Sequence, residues 1–284
     1  MTKRKRRERG EKIRHYIALA LVSIFVLLPY YWMIVTAVKP VEEVMVSPAT
    51  LLPSRLSFVN FTKVWESIPL SSYMKNSMIV SVSVTVISVV FATLCGYSIS
   101  RYIRYRAQKV SMVLMLSSQL IPGIVTMISL YFVMYNLKLS NTYMGLIIAD
   151  VVWSVPFCTM MIKGYFDAAI PQAIEESARV DGCTNFGIFF RICLPISIPG
   201  IISTAIFAFI QAWNEYMWAS IMLSKDSLKP VSVGIYDFIG QYGANTKMAL
   251  TMTAGIFITL PAILIFAFLQ KYLISGLSAG AVKG

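Results

Sequence analysis

The sequence predicts an all-α, polytopic membrane protein with six transmembrane helices and a charged arm on its cytoplasmic side. Three observations predict it. Of the 284 residues, 57% are apolar and only 13% charged, against about 25% charged in ordinary soluble domains. Six stretches are apolar and long enough to cross a hydrocarbon core, which takes about 20 helical residues. The basic residues are spread unevenly over the segments between those stretches. A chain with so few polar side chains cannot cover a water-facing surface. Its net charge of +12 is therefore read by position, because Lys and Arg set orientation in membranes, and not as a nucleic-acid signal.

The elements follow in order. Residues 1–15 carry Lys3, Arg4, Lys5, Arg6, Arg7, Arg9, Lys12 and Arg14, a topological anchor with some affinity for anionic lipid. The apolar run after it, roughly 16–37, is longer than a signal-peptide core of about 7–15 residues and lacks a small-residue cleavage site. His15 sits at this first membrane boundary. An external loop, 38–76, has Pro48 and Pro53 marking turns, and "FVNFTKVWESI" within it reads as a short amphipathic helix. The second span, roughly 77–99, is rich in Val, Ile and Ser and would read as strand in water. In lipid its length argues helix, since every backbone polar group must be satisfied inside the segment. A basic run at 100–109 leads to spans at roughly 110–135 and 143–162, a charged segment at 163–196, and spans at roughly 197–218 and 248–270. These last two are separated by an external loop, 219–247, and followed by a tail, 271–284. Pro122, Pro156, Pro199 and Pro261 fall inside spans, where neighbouring helices tolerate them. Seventeen of the 25 Lys and Arg residues lie on the side of the N-terminus, which is thereby cytoplasmic. An even number of spans puts both termini there. Cys95, Cys158, Cys183 and Cys193 form no metal-binding pattern and read as packing residues. The sequence has no Walker A loop, HExxH or nucleophile elbow. No catalytic set, metal site or cofactor is expected in this chain, so the energy for any driven process must come from a partner.

The segment 163–196 is the most informative. Pro171 suits a helix start, and "QAIEESARV" follows with Glu175 four residues before Arg179 in the favourable order. Gly182 is placed to end that helix in the left-handed conformation. Thr184 can cap a second short helix, and Leu194-Pro195 returns the chain to the membrane. The expected product is an arm that docks in a groove on another protein. Ile174, Ala178, Phe186, Phe189 and Phe190 would face the groove, and Glu175, Glu176, Arg179 and Asp181 would fix the orientation. A solvated connector is the alternative reading of the same residues.

"EESARVDGC…FRICLPISIPG" resembles the EAA loop of permease subunits in binding-protein-dependent ABC importers, matching at Glu176, Ala178, Asp181, Gly182, Ile192, Leu194 and Pro195. It departs at Ser177 and Cys183, both small. "QAWNEYMWA", "YMKNSMIVS" and "YLISGLSAGAVKG" are similar to segments of the maltose-type sugar permeases, the last to the tail of the smaller one. The resemblance implies a bacterial cytoplasmic-membrane permease of a carbohydrate importer. Its partners would be a second related permease, two ATP-binding subunits carrying ATP and Mg, an extracytoplasmic sugar-binding protein and membrane lipid, with no nucleic acid. It implies that Glu175, Glu176, Ser177, Ala178, Arg179, Asp181, Gly182, Leu194 and Pro195 couple to an ATPase. The tail (Gly276, Leu277, Ser278, Ala279, Gly280 and Lys283) would touch the ATPase too. A loop of Gly240, Gln241, Tyr242, Gly243, Ala244 and Asn245 would reach the binding protein and help release sugar.

Within the pore, Gln119, Tyr131, Trp153, Trp213, Asn214, Glu215 and Tyr216 could offer hydrogen bonds or aromatic faces to a sugar. Asp150 and Glu215 are acids in or near spans, costly there and so candidates for function. A proton-coupled carrier would use such acids. That reading, and an ABC permease for a non-sugar solute, are the alternatives.

Overall fold

The structure, a computed structural model, describes residues 3–242 and 247–281, with side chains for 11–239 and 247–272. Among the described residues every regular element is helical. The order is α1 (Lys3–Val38), α2 (Val59–Ser67), α3 (Leu70–Arg101), α4 (Tyr105–Leu120), α5 (Gly123–Asn136), α6 (Tyr143–Ala169) and α7 (Gln172–Val180). It continues with α8 (Asn185–Ile188), α9 (Leu194–Trp213), α10 (Met217–Met222), α11 (Val231–Tyr242) and α12 (Met248–Ala281). Five helices are long and apolar enough to span a membrane on their own, and the α4–α5 pair makes a sixth crossing if counted as one.

That pair departs from the straight span expected at 110–135. Its halves are bent by 93°. Pro122 lacks an N–H to donate, and the residue before a proline is driven from the helical region. Ile121 accordingly adopts extended backbone (φ −71°, ψ 122°). Pro29, Pro156, Pro199 and Pro261 all sit inside continuous helices. The fifth span ends at Trp213 rather than near 218, and much of the expected external loop at 219–247 is helix α11. The second span begins at Leu70, seven residues earlier than expected.

The chain falls into two compact units. One comprises Met1–Leu70 and Asp237–Thr259. Here the expected amphipathic helix forms as α2, where Asn60 Nδ2 donates to the Ala37 carbonyl (3.0 Å). Phe61 and Trp65 set their rings against Phe257 (6.0 and 4.8 Å). The Lys39 side chain is buried but partnered, with Nζ donating to Thr50 O (2.5 Å) and lying 4.8 Å from the Trp32 ring centre. Ser54 donates to the exposed Glu43 carboxylate through its hydroxyl and its amide, which holds that carboxyl below the usual range. Apolar side chains around α1 (Leu19, Leu21, Phe25) are exposed, as in a helix that faces lipid.

The other unit comprises Ser71–Tyr236 and Leu260–Gly284. Helices α3, α6 and α9 supply most of its core. They approach closely where small residues allow it: a Cβ on Gly96 of α3 would stand 3.1 Å from the Lys163 amide nitrogen of α6. The Thr142 hydroxyl caps α6 by accepting from Gly145 N (3.1 Å). A π-turn over Phe189–Cys193 joins α8 to α9 without a break, so the arm runs directly into the fifth span.

Candidate functional site

The arm forms much as its local chemistry dictates. Pro171 stands at the N-cap of α7. Gly182 ends the helix at φ +83°. Around it Cys183 N donates to Ala178 O (2.9 Å) and Gly182 N to Arg179 O (3.0 Å), a Schellman closure that satisfies the last carbonyls. Thr184 Oγ1 accepts from Gly187 N (3.2 Å), capping α8.

The two neighbouring acids of the arm face opposite ways. Glu176, Ser177, Arg179 and Asp181 are exposed. So are Val180, Phe186 and Phe190, the last two stacked at 6.2 Å. Glu175 is buried, at 1% exposure. Its carboxylate pairs with Arg101 Nε and accepts from the Tyr97 hydroxyl (3.0 Å). This corrects the expectation that Glu175 would orient the arm on a partner: its partner is within the chain. Ala178 and Phe189 are also turned inward, whereas Ile174, Phe186 and Phe190 point out. Leu194 is half-buried and Pro195 exposed. Cys158 and Cys193 pack in the core, but Cys183 is exposed.

Arg101, the last residue of α3, ties the arm to two spans. Its Nη2 donates to the carbonyls of Phe166 (3.2 Å) and Ile170 (2.7 Å) at the end of α6, where a cation complements the helix dipole. Its Nη1 donates to Ser100 Oγ (2.7 Å) and lies 3.8 Å from Asp167. Ser100 also bonds Asp167, which accepts from Lys163 Nζ at 2.7 Å. The Tyr97 ring closes over the cluster, packed on Phe166 (5.3 Å) and Phe189 (4.8 Å).

A second site lies in the same unit. A cavity of about 650 Å³ is lined by Gln119, Trp153, Asn214, Glu215 and Tyr216, five of the seven pore candidates. The other two fall elsewhere. Trp213 is buried against Phe209 (5.6 Å, 19°), and Tyr131 packs on Phe132 and Tyr135. Asp150 also lines the cavity, and neither carboxylate oxygen has a hydrogen-bond partner. Glu215 has one role already: it accepts from the amides of Trp218 (2.6 Å) and Ala219 (2.9 Å), capping α10. Gln211, Phe157, Phe207 and Trp218 complete much of the wall and were not singled out from the sequence. The 3- and 4-residue spacing of Gln211, Glu215 and Trp218 was the available signal. Among the described residues no group of three His, Cys, Asp or Glu could hold a metal.

Gly240, Gln241 and Tyr242 fall at the end of α11 and Gly276–Gly280 within α12 by backbone alone. Gly243, Ala244, Asn245 and Lys283 lie outside the described residues.

Five or six apolar spans make this a multi-pass membrane protein, with a largely apolar cavity in one unit and an arm tied to the ends of α3 and α6. Residues 88–279 match the family described as binding-protein-dependent transport system inner membrane component, and the chain belongs to that family. It is 33% identical over 270 residues to the probable ABC transporter permease YurM of Bacillus subtilis, covering 95% of this chain and 88% of that one. It is 31% identical to the diacetylchitobiose uptake permease DasC of Streptomyces coelicolor (94% and 96% covered). It is also 31% identical to the trehalose/maltose transport permease MalG of Thermococcus litoralis (98% and 99%). A chain of a bacterial ABC transporter involved in alginate import shares the fold, with a TM-score of 0.75 at 21% identity and 96% and 99% coverage.

Proposed function

We propose that this chain is the permease subunit of an ATP-driven importer of sugars or oligosaccharides and forms half of its translocation path. The observation that carries the reading is the arm: its outer face is exposed and aromatic, and its inner face is ion-paired to the ends of α3 and α6. An ATPase subunit bound to the outer face, at Glu176, Arg179, Asp181, Phe186 and Phe190, would move the base of two spans with it. ATP and Mg belong to two such partner subunits; this chain is not itself an enzyme. Because ATP favours the closed ATPase state, a shared equilibrium makes the membrane path follow it. A second, related permease would complete the path, and a binding protein would deliver sugar from outside. Both termini and the tail from Gly276 would lie on the cytoplasmic side. Aromatic and amide side chains in one cavity and the uptake systems named for the relatives support a carbohydrate over another solute.

The test is affinity purification of the chain from its native membrane, with mass identification of what remains bound. An ATPase subunit, a second permease and a sugar-binding protein are expected. Recovery of the chain alone after gentle extraction would leave the arm without a groove and favour a self-sufficient, proton-coupled carrier built on Asp150 and Glu215.

A further inference from the structure

We propose that residues 44–54, in the loop after α1, rest in the lipid of one leaflet, the one at the end of α1 away from its basic N-terminus. In the orientation proposed above this is the outer leaflet. The leaflet's name rests on that orientation, but the contact with phospholipid does not. Three observations within the first unit carry it.

The first is what the loop exposes. Its sequence, "VMVSPATLLPS", holds no charged residue, and charge returns only at its ends, with Glu43 and Arg55. Glu43 closes the loop by accepting from the Ser54 amide (3.0 Å) and hydroxyl. Between these ends Leu51 and Leu52 are 70% and 69% exposed, and Met45 and Val46 are exposed as well. An apolar patch inside a polar rim marks a protein or membrane contact.

The second is where the loop is held, which decides between those two. Tyr31 Oη donates to Leu51 O (2.8 Å), and Lys39 Nζ donates to Thr50 O (2.5 Å). Tyr31 precedes the end of α1 at Val38 by about two turns, or about 10 Å along the axis. The loop therefore folds back along α1 instead of rising from its end. Tyr30, Tyr31 and Trp32 stand at this level, and Tyr and Trp collect where hydrocarbon meets headgroups. Just below them Leu27 and Leu28 of the span are exposed. The loop's leucines thus continue a surface that lipid already covers. A water-soluble partner reaches the end of α1 but not a patch two turns beneath it.

The third is the backbone. An unpaired carbonyl is costly in lipid. The carbonyls of Thr50 and Leu51, beside the most exposed leucines, are taken by the Lys39 and Tyr31 side chains. Pro48 and Pro53 bring no N–H that would need an acceptor. Polar groups turned inward and apolar ones outward suit lipid and not water.

The test uses the complete membrane complex in phospholipid vesicles, with a nitroxide label on Leu52→Cys or, separately, on Met45→Cys. The signal of the labelled parent complex is subtracted, because Cys183 is exposed. Collisions of the label with oxygen, which concentrates in lipid, are compared with collisions with a water-soluble nickel chelate. Both reagents are supplied on both sides of the membrane, so orientation does not enter. The labels are expected about 5–10 Å deep, at the headgroup and acyl boundary, with an oxygen-to-chelate ratio severalfold above that of a label in water. In a chain that also carries Leu51→Ser and Leu52→Ser, the ratio at Met45→Cys should fall toward the value in water. A ratio equal to that in water in the parent loop overturns the proposal. So does a label shielded from both reagents, which would mean that a protein partner covers the loop. A ratio at Met45→Cys that the two serines leave unchanged would deny the leucines their part and overturns it as well. None of these results touches the transport reading, which stands on the arm and not on this loop.

Discussion

The base of the arm and the wall of the cavity both bury carboxyl groups in the same unit, and they treat them in opposite ways. At the base, Glu175 and Arg101 pair with each other, and their remaining groups find Tyr97, Ser100 and two helix-end carbonyls. In the cavity, Asp150 has no hydrogen-bond partner, and Glu215 is answered only by the amides of its own next helix. A saturated buried network is stiff, because moving one member strands the others. An unsaturated one leaves capacity for something that comes and goes. The comparison separates a tie suited to the proposed transmission of force from a cavity that leaves room for a ligand.

The largest expected effect comes from breaking the saturated side. Arg101→Ala leaves Glu175 buried without its cation, a loss of the order that costs about 3–5 kcal/mol when one partner of a buried pair is removed. Uptake is expected to fall to background, and the purified complex to melt at lower temperature. Glu175→Ala should behave alike. The double variant Arg101→Met, Glu175→Met removes both charges and should be more stable than either single variant, yet remain impaired in uptake because the arm has lost its tie to α6. Wild-type uptake in the double variant would show that the tie transmits nothing.

Next in size is Gly182→Val. A Cβ there meets nothing within 4 Å, so the cost is conformational. A left-handed residue with a side chain costs about 1–2 kcal/mol, and a β-branched one is a genuine outlier. The arm should unwind at its tip, with uptake lost and membrane insertion intact. Gly182→Asn, which tolerates this conformation, should retain a good part of the uptake. Equal uptake in both variants and wild type would mean that the arm's shape is immaterial.

Smaller still is Glu215→Ala, which removes the cap of α10. Caps contribute about 0.5–2 kcal/mol, so a modest drop in melting temperature is expected, read by thermal unfolding of the complex. No drop would remove Glu215 from the structural side of the comparison.

How far these sites could be read from the sequence follows from the range of the interactions. Gly182, Thr184 and helix α2 were legible, because each is decided within a few residues. The cut at Pro122 was not, since the same residue type at 156, 199 and 261 leaves its helix whole, so a proline in a span does not by itself announce a break. Glu175, expected to orient the arm on a partner, is buried against Arg101, which stands 74 residues away in the sequence. The rotation of a span about its own axis is likewise a matter of packing. Gln119 and Trp153 therefore came out on the cavity while Trp213, in the same motif as Asn214 and Glu215, turned into the core.

The smallest expected effect is also the one that separates the readings of the cavity. Asp150→Asn exchanges a buried carboxyl for a neutral amide of the same shape. No hydrogen bond is lost because none is made. Thermal stability should therefore stay level or rise slightly. If the acid only shapes the field of a sugar subsite, uptake by the variant should persist, should still stop when ATP is withdrawn, and should ignore a collapsed proton gradient. In a proton-coupled carrier the same exchange removes the group that must gain and lose the proton, so uptake would vanish while the fold survived. Vesicle uptake measured with ATP and with an imposed proton gradient, in wild type and in Asp150→Asn, distinguishes the two. Gradient-driven uptake in wild type that the variant abolishes would turn the unsaturated site from a place that receives sugar into one that carries protons.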